Sequence, residues 1–435
     1  MELTRFNKFS RSVKYMLIQH AFNLLSGIFV GAMIARHYGP ELFAVFSISI
    51  FYVSVVNVIA ALGTNDLLAA QCIKKPHLKE GLFWAVLIIR FLAYLSCAAF
   101  GYLLLLYFKV DDIIIRGYNL GLVAGLIANI NLFGVIAKSK QRNDKIAQFA
   151  IVGLFGSIAF RVFIVLTSKS LDYLYYNLAL VALIDLLLMI WYLKAEKMIY
   201  SFAKPNWVAA SKLIFNAAPV ATGATVTLIG GSMALVFMEE LMGYDAAGNY
   251  AVVLKLYTFA AFFAHVLYNN LFYYMESSGL TADKFIGQHL KVIVKSTAAL
   301  SYLLIIGAFL AIAPILEVLY GEQYRGVGMK FALASTNFLF GWASIPAQIK
   351  LLSEKRTGRI MAIDVICLVT NVVGAYVLIS MYGEWGAYFL MPLTALILMI
   401  ANYCLSGLGK EIKGVFLWFL SPIPSREALR NFTKH

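Results

Sequence analysis

Charged residues are scarce in this chain. Asp, Glu, Lys and Arg make up 13% of its 435 residues, against about 25% in a soluble domain. With 61% of the chain hydrophobic, too little polar surface is left to cover a water-soluble fold. Cysteine is sparse as well. Cys72, Cys97, Cys367 and Cys404 form no CxxC pair and no secreted disulfide framework. There is no HExxH, no Walker A loop, no GxSxG elbow and no dinucleotide fingerprint. That argues against an ATP-driven pump within the chain, and no catalytic residue, metal or cofactor is expected. Long polar segments are missing too, so no soluble domain is inserted. The first apolar run precedes no small-residue cleavage site, and it reads as a retained helix rather than a signal peptide.

What remains is apolar and continuous. A membrane-crossing helix needs about 20 apolar residues, and twelve such stretches are present: 15–35, 42–63, 82–107, 117–137, 146–167, 173–193, 213–238, 247–273, 295–316, 328–349, 360–380 and 385–406. They do not alternate, which excludes a β-barrel. The expected class is an all-α polytopic membrane protein. The net charge of +14 has a simple source in this class and does not call for nucleic acid. Arg36, Lys109, Arg116, Lys169, Arg325 and Lys330 fall between spans on one side, and Arg90, Arg161 and Lys255 fall inside spans. The other 27 of the 36 Lys and Arg lie on the opposite side. The positive-inside rule makes that side cytoplasmic, with both termini on it. The expected organisation is a cytoplasmic N-terminus (1–14), a six-helix lobe (15–193), a cytoplasmic linker (194–212), a second six-helix lobe (213–406) and a cytoplasmic tail (407–435).

The two halves echo each other. ARHYGPELFAVFS (35–47) joins spans 1 and 2, and ELMGYDAAGNYAVV (240–253) joins spans 7 and 8. Gly39 matches Gly243, Glu41 matches Asp245 and Phe46 matches Tyr250. The basic turns VIAKSKQRNDKIAQF (135–149) and QIKLLSEKRTGRIMA (348–362) also correspond. Six spans per half keep both halves the same way up, a parallel repeat. Such repeats form two-lobed transporters with a central cavity at the repeat interface, and the halves rock around it.

These motifs, together with LYGEQYRG (319–326), resemble the polysaccharide-exporting branch of the multidrug/oligosaccharidyl-lipid/polysaccharide flippase superfamily. The similarity is greatest to the O-antigen (Wzx-type) flippases of Gram-negative bacteria, and it covers nearly the whole chain. The resemblance implies carriage of an undecaprenyl-diphosphate-linked oligosaccharide from the cytoplasmic to the periplasmic leaflet of the inner membrane, in lipopolysaccharide biosynthesis. It also implies glycan polymerase and chain-length proteins as partners. The lipid II flippases of the same superfamily usually have fourteen spans, and this chain shows twelve.

Such a cargo needs fixed positive charge and hydrogen-bonding groups in a wet cavity. Charged groups inside a span cost about 2.5–3.5 kcal/mol even on lenient scales, so they face protein or water. Lys255 shares a helix face with Thr258, His265 and Asn269 and is the leading candidate for the diphosphate. Arg36, at the periplasmic mouth of span 1, has two open readings: it snorkels to lipid headgroups, or it meets the diphosphate. For Arg90 and Arg161 two readings are open: they face the cavity, or they are neutralised by Asp185 within the bundle. Asn216 shares a stripe with Gly223, Thr227 and Gly230, near Pro219. His20 and Asn23 share one with Gly27 and Gly31. Asp185 and His20 are candidates for ion coupling. Asp66 and Asp364 are expected to pair with loop cations. Gly117, Gly121 and Gly125 read as close helix packing. Two alternatives stand beside the flippase. A cation-coupled multidrug exporter of the same superfamily would want an acid-lined cavity. A membrane glycan polymerase or ligase would want a large periplasmic loop.

Overall fold

The computed structural model describes residues 2–74, 78–140, 142–167, 169–198, 200–277 and 281–421. These are largely helical, with no strand among the described residues. The chain divides into two compact units, Met1–Leu228 and Ile229–His435. The boundary falls inside a helix, downstream of the 194–212 linker read from the sequence.

The first unit is built on α1 (Glu2–Ala60), α2 (Thr64–Lys74), α3 (Lys79–Tyr107), α4 (Asp112–Ile130), α5 (Phe133–Ser139), α6 (Asn143–Leu166), α7 (Asp172–Ala195) and the first part of α8 (Trp207–Met242). α1 holds two expected spans. They meet at Gly39, whose φ of 78° and ψ of 170° break the helical course. Pro40 then opens the next segment, where its fixed φ suits a first helical position. The repeat reproduces this turn. Gly243, between α8 and α9 (Tyr244–Ser277), has a φ of 87°. An added Cβ there would meet nothing within 4 Å, so the backbone conformation, not space, calls for glycine. α4 sits at the centre of the unit and packs on α1, α3 and α7. Its glycines allow the approach. A Cβ at Gly121 would lie 2.9 Å from Val53, and one at Gly125 would lie 2.5 Å from the Tyr94 hydroxyl.

The second unit continues with α10 (Ala282–Gly307), a π-helical turn (Ala308–Ile312), α11 (Ala313–Tyr320), α12 (Val327–Ser335), α13 (Asn337–Ala343), α14 (Ile345–Ser353), α15 (Thr357–Tyr382), α16 (Glu384–Ser406) and α17 (Ile412–Phe419). The π turn immediately precedes Ala313 and Pro314, whose missing N–H loosens the ladder. α15 and α16 form a close hairpin, in which a Cβ on Gly386 would fall on the Leu378 carbonyl. The core gathers Phe285, Ile293, Phe338, Trp342, Met399 and Tyr403. α17 lies in the segment expected as a tail. It docks on α10, with the Tyr302 hydroxyl donating to Phe419 O at 3.3 Å and Lys295 to Ser421 Oγ at 2.6 Å.

All twelve expected spans fall on helix, and among the described residues nine helices are long and apolar enough to cross a membrane. Only 11% of the most apolar window of α15, and 17% of those of α6 and α7, is buried. Apolar helices that uncovered face lipid. Contacts between helix ends agree with the two-sided loop assignment. Arg116–Asp172, Tyr38 Oη to Lys169 O at 2.7 Å and Lys330–Glu384 at 2.7 Å join residues of the cation-poor side. Lys350–Asp283 joins residues of the cation-rich one.

Candidate functional site

α4 and α5 are one expected span in two pieces. Asn131 separates them with φ −73° and ψ 61°, an inverse γ-turn, and Leu132 N–H donates to Ile130 O at 2.7 Å. That donor is thereby turned away from Ala128 O, its partner in a continuous helix. Ala128 and Asn131 line a cleft of about 410 Å³, closed by Ala150, Leu154, Ser157 and Arg161 of α6 and by Leu178, Val181, Ala182 and Asp185 of α7. On each helix these positions recur at three- and four-residue steps, which is one face.

Along that face, α6 and α7 run antiparallel from a short turn, and depth decides the partners. Arg161 is five residues before the end of α6 and Asn177 five residues after the start of α7, so both lie about 8 Å from the turn. Arg161 Nε donates to Asn177 Oδ1 at 3.0 Å, Ser157 Oγ donates to the same oxygen at 2.9 Å, and Asn177 Nδ2 returns a bond to Ser157 O at 3.3 Å. Asn177 is fully buried. Asp185 and Gly153 are each thirteen residues from the turn-proximal helix end, about 20 Å deep. There the Asp185 carboxylate occupies the space that a Cβ on Gly153 would need. Asp185 therefore neutralises neither arginine. Its Oδ1, like Asn131 Oδ1, is buried without a hydrogen-bond partner.

Arg90 is 3% exposed and belongs to a separate network. Its Nε donates to Asn129 Oδ1 at 3.2 Å and its Nη1 to Asn65 Oδ1 at 2.7 Å, while Asn129 Nδ2 donates to Asn57 O at 3.2 Å. No carboxylate pairs with Arg90 or Arg161 among the described residues. Both guanidinium groups are held by neutral amides.

Among the described residues, no other predicted residue lines this cleft. Lys255 lies on α9, partly buried and engaged within the protein. Thr258, its stripe neighbour, bonds back to Leu254 O at 2.6 Å. Arg36 is exposed and also engaged. The side chains of His20, Asn23, Asp66, His265 and Asn269 lie outside the described residues. The Asn216 stripe is divided: Asn216 lines a different cleft, while Gly230 packs on Leu368 and Asn371. Asp364 makes no ion pair among the described residues, contrary to expectation.

The broken spans leave the hydropathy pattern of the sequence continuous. The second unit's counterpart of α4–α5 is interrupted twice, at Thr336 and Ser344. Asn337 stands 206 residues after Asn131, close to the repeat offset of 204 set by Gly39 and Gly243. The two breaks differ in one respect. Asn337 Oδ1 accepts from Tyr257 Oη at 3.2 Å, and its Nδ2 donates to Met391 O at 2.8 Å; Asn131 Oδ1 is unsatisfied. Interrupted helices at matching positions in two halves mark binding sites in repeat-built transporters. A polar Asn with Phe and Gly downstream in both runs was the signal.

No family model matches the sequence, and no curated relative does. Solved structures match over nearly the full length. A mutant of the Vibrio cholerae MATE transporter VcmN is 12% identical, with TM-score 0.59, over 95% of this chain and 97% of that one. An outward-facing multidrug resistance MATE family transporter of the MOP superfamily is 12% identical, with TM-score 0.60, over 94% and 96%. A MOP superfamily transporter from Pyrococcus furiosus, whose reverse polarity of binding pocket suggests a different function, is 11% identical, with TM-score 0.57, over 93% and 94%. The chain is thus a polytopic helical membrane protein. Its fold is that of the MATE transporters of the MOP superfamily, the superfamily its motifs resemble.

Proposed function

We propose that the protein is a MOP-superfamily transporter working by alternating access, and that its cargo is an undecaprenyl-diphosphate-linked oligosaccharide moved from the cytoplasmic to the periplasmic leaflet of a bacterial inner membrane. The observation that supports this cargo is the pairing of Arg90 and Arg161 with amide oxygens instead of carboxylates. An amide orients a guanidinium and leaves its charge intact for a diphosphate, which arginine suits bidentately. Arg161 lines the cleft and is the candidate anion contact of the first unit. Lys255 and Arg36 are candidates from the sequence, and the cleft amides suit sugar hydroxyls.

The solved neighbours speak more directly for a second reading, a cation-coupled multidrug exporter, because one of them is a multidrug resistance MATE family transporter. The unpartnered Asp185 suits a proton or a cationic drug. The Pyrococcus furiosus neighbour supports a fold that accommodates pockets of differing polarity. One experiment separates the readings. Expression in a strain lacking its O-antigen flippase, with matched sugar-synthesis genes, restores surface glycan under the first reading and leaves drug susceptibility unchanged. Drug resistance without glycan establishes the second.

A further inference from the structure

A second cleft, of about 360 Å³, opens where the first turns of α8 meet α2 and the start of α3. The mechanism proposed above does not use it. The segment leading into α8 is clamped onto α3: Trp84 Nε1 donates to Ser201 O at 2.9 Å, Phe83 packs edge-on against Tyr200, and Asn206 N–H donates to Gly81 O at 3.0 Å. This fixes Asn206, whose Oδ1 caps α8 through Ala209 N–H at 3.0 Å. With Oδ1 so used, its Nδ2 remains as a donor. Gln71, Lys212 and Asn216 complete the polar lining, and none of the three has a hydrogen-bond or ion-pair partner among the described residues. Among the described residues the wall contains donors and no carboxylate, and residues 197–238 hold three lysines and no acid.

Lys212 is also part of a second surface. Val208, Lys212 and Phe215 fall at three- and four-residue steps, one stripe of α8, with Val208 67% and Phe215 81% exposed. An ammonium flanked by exposed apolar groups, at the rim of a donor-lined cleft and on the cation-rich side of a membrane protein, matches an anionic lipid: phosphate in the cleft, acyl chain along the stripe. Basic side chains at such a level attract anionic headgroups. The volume is at the low end for small-molecule sites, which suits a phosphoglycerol headgroup. We infer that this cleft binds the phosphate headgroup of an anionic phospholipid, with Lys212 as the charged contact and Gln71, Asn206 and Asn216 as amide donors.

The inference is independent of the cargo. Its test is native mass spectrometry of the purified full-length protein, titrated separately with dioctanoyl phosphatidylglycerol, dioctanoyl phosphatidylcholine and inorganic phosphate. Phosphatidylglycerol binds more tightly than the other two. Lys212→Gln weakens it about tenfold, the scale of one charge-assisted contact. Lys212→Arg restores it, and Phe215→Ser weakens the lipid alone. Unchanged phosphatidylglycerol affinity in Lys212→Gln overturns the site. Inorganic phosphate binding as tightly as the lipid overturns the lipid assignment, and so does displacement of phosphatidylglycerol by a lipid-linked sugar at lower concentration.

Discussion

Replacing Asn177 with aspartate alters the charge at Arg161 with almost no change of shape. In the native protein the buried Asn177 Oδ1 accepts from Arg161 Nε at 3.0 Å and from Ser157 Oγ at 2.9 Å. Asn177→Asp keeps that acceptor, gives up the 3.3 Å bond from Nδ2 to Ser157 O, and places a carboxylate against the guanidinium. Stability falls by about 1–3 kcal/mol at most, because the second carboxylate oxygen now faces the Ser157 carbonyl with no donor between them, and the attraction of the carboxylate for the guanidinium offsets part of that cost. Anion binding is not retained, since the positive charge is now neutralised within the bundle. Asn177→Ala does the opposite. It removes the acceptor of two donors; the Ser157 hydroxyl can turn back to its own helix, but the Arg161 Nε–H is left unpaired, at about 2–3 kcal/mol. The assay is a pair of measurements on each variant, thermal unfolding of the purified protein and flipping of a lipid-linked sugar in vesicles. Asn177→Asp should unfold modestly below the native protein and above Asn177→Ala, and flip at least about tenfold more slowly, the equivalent of one lost charged contact. Native flipping by Asn177→Asp refutes the role given to Arg161. Native stability of Asn177→Ala refutes the network.

Three further outcomes follow from the fold. Gly243→Ala, at a φ of 87°, destabilises by about 1–2 kcal/mol through left-handed strain, and Gly243→Asn by less; equal unfolding of the two would show that φ is not the constraint. In the pair at 2.7 Å, the Lys330 side chain is 9% exposed and that of Glu384 34%. Glu384→Gln, which strands the buried ammonium over the Tyr388 ring, should therefore lower thermal stability more than Lys330→Met, which leaves a carboxylate that water can reach; the reverse order would contradict the burial. Burial pushes the Tyr200 phenol from its ordinary 10.0 up to about 12. The unfolded chain releases that proton first, so the contribution is present below about pH 10 and is lost as pH climbs toward about 12. Tyr200→Phe should flatten the alkaline decline in unfolding temperature, and an unchanged decline would exclude Tyr200 as its source.

The membrane architecture was legible because it depends on long-range averages. Twenty-residue apolar runs and the sidedness of lysine and arginine survive errors at single positions, and all twelve spans fall on helix. The Gly39–Gly243 echo was legible for a stereochemical reason, since both glycines turn the chain at positive φ. The partners of the intramembrane arginines were not. Asp185 is the acid that the sequence offers as a partner; the structure places Asn177 at the depth of Arg161 and Gly153 at the depth of Asp185. That register depends on where the turn between α6 and α7 falls, which hydropathy resolves only to within a few residues. The breaks at Asn131 and Thr336 were hidden too: the inverse γ-turn at Asn131 occupies a single residue, Thr336 stays near helical angles at φ −61° and ψ −20°, and both leave the apolar run intact. α17 was too short to register as a span, although Val415 and Phe419 are buried.

The most direct test of the central claim is flipping by the purified protein in sealed vesicles carrying a fluorescent undecaprenyl-diphosphate-linked oligosaccharide, compared with Arg161→Gln. The native protein should move the lipid between leaflets, and Arg161→Gln should slow that movement at least about tenfold while unfolding at a similar temperature. A native protein that leaves the lipid in place, or an Arg161→Gln variant that flips it at the native rate, would contradict the account.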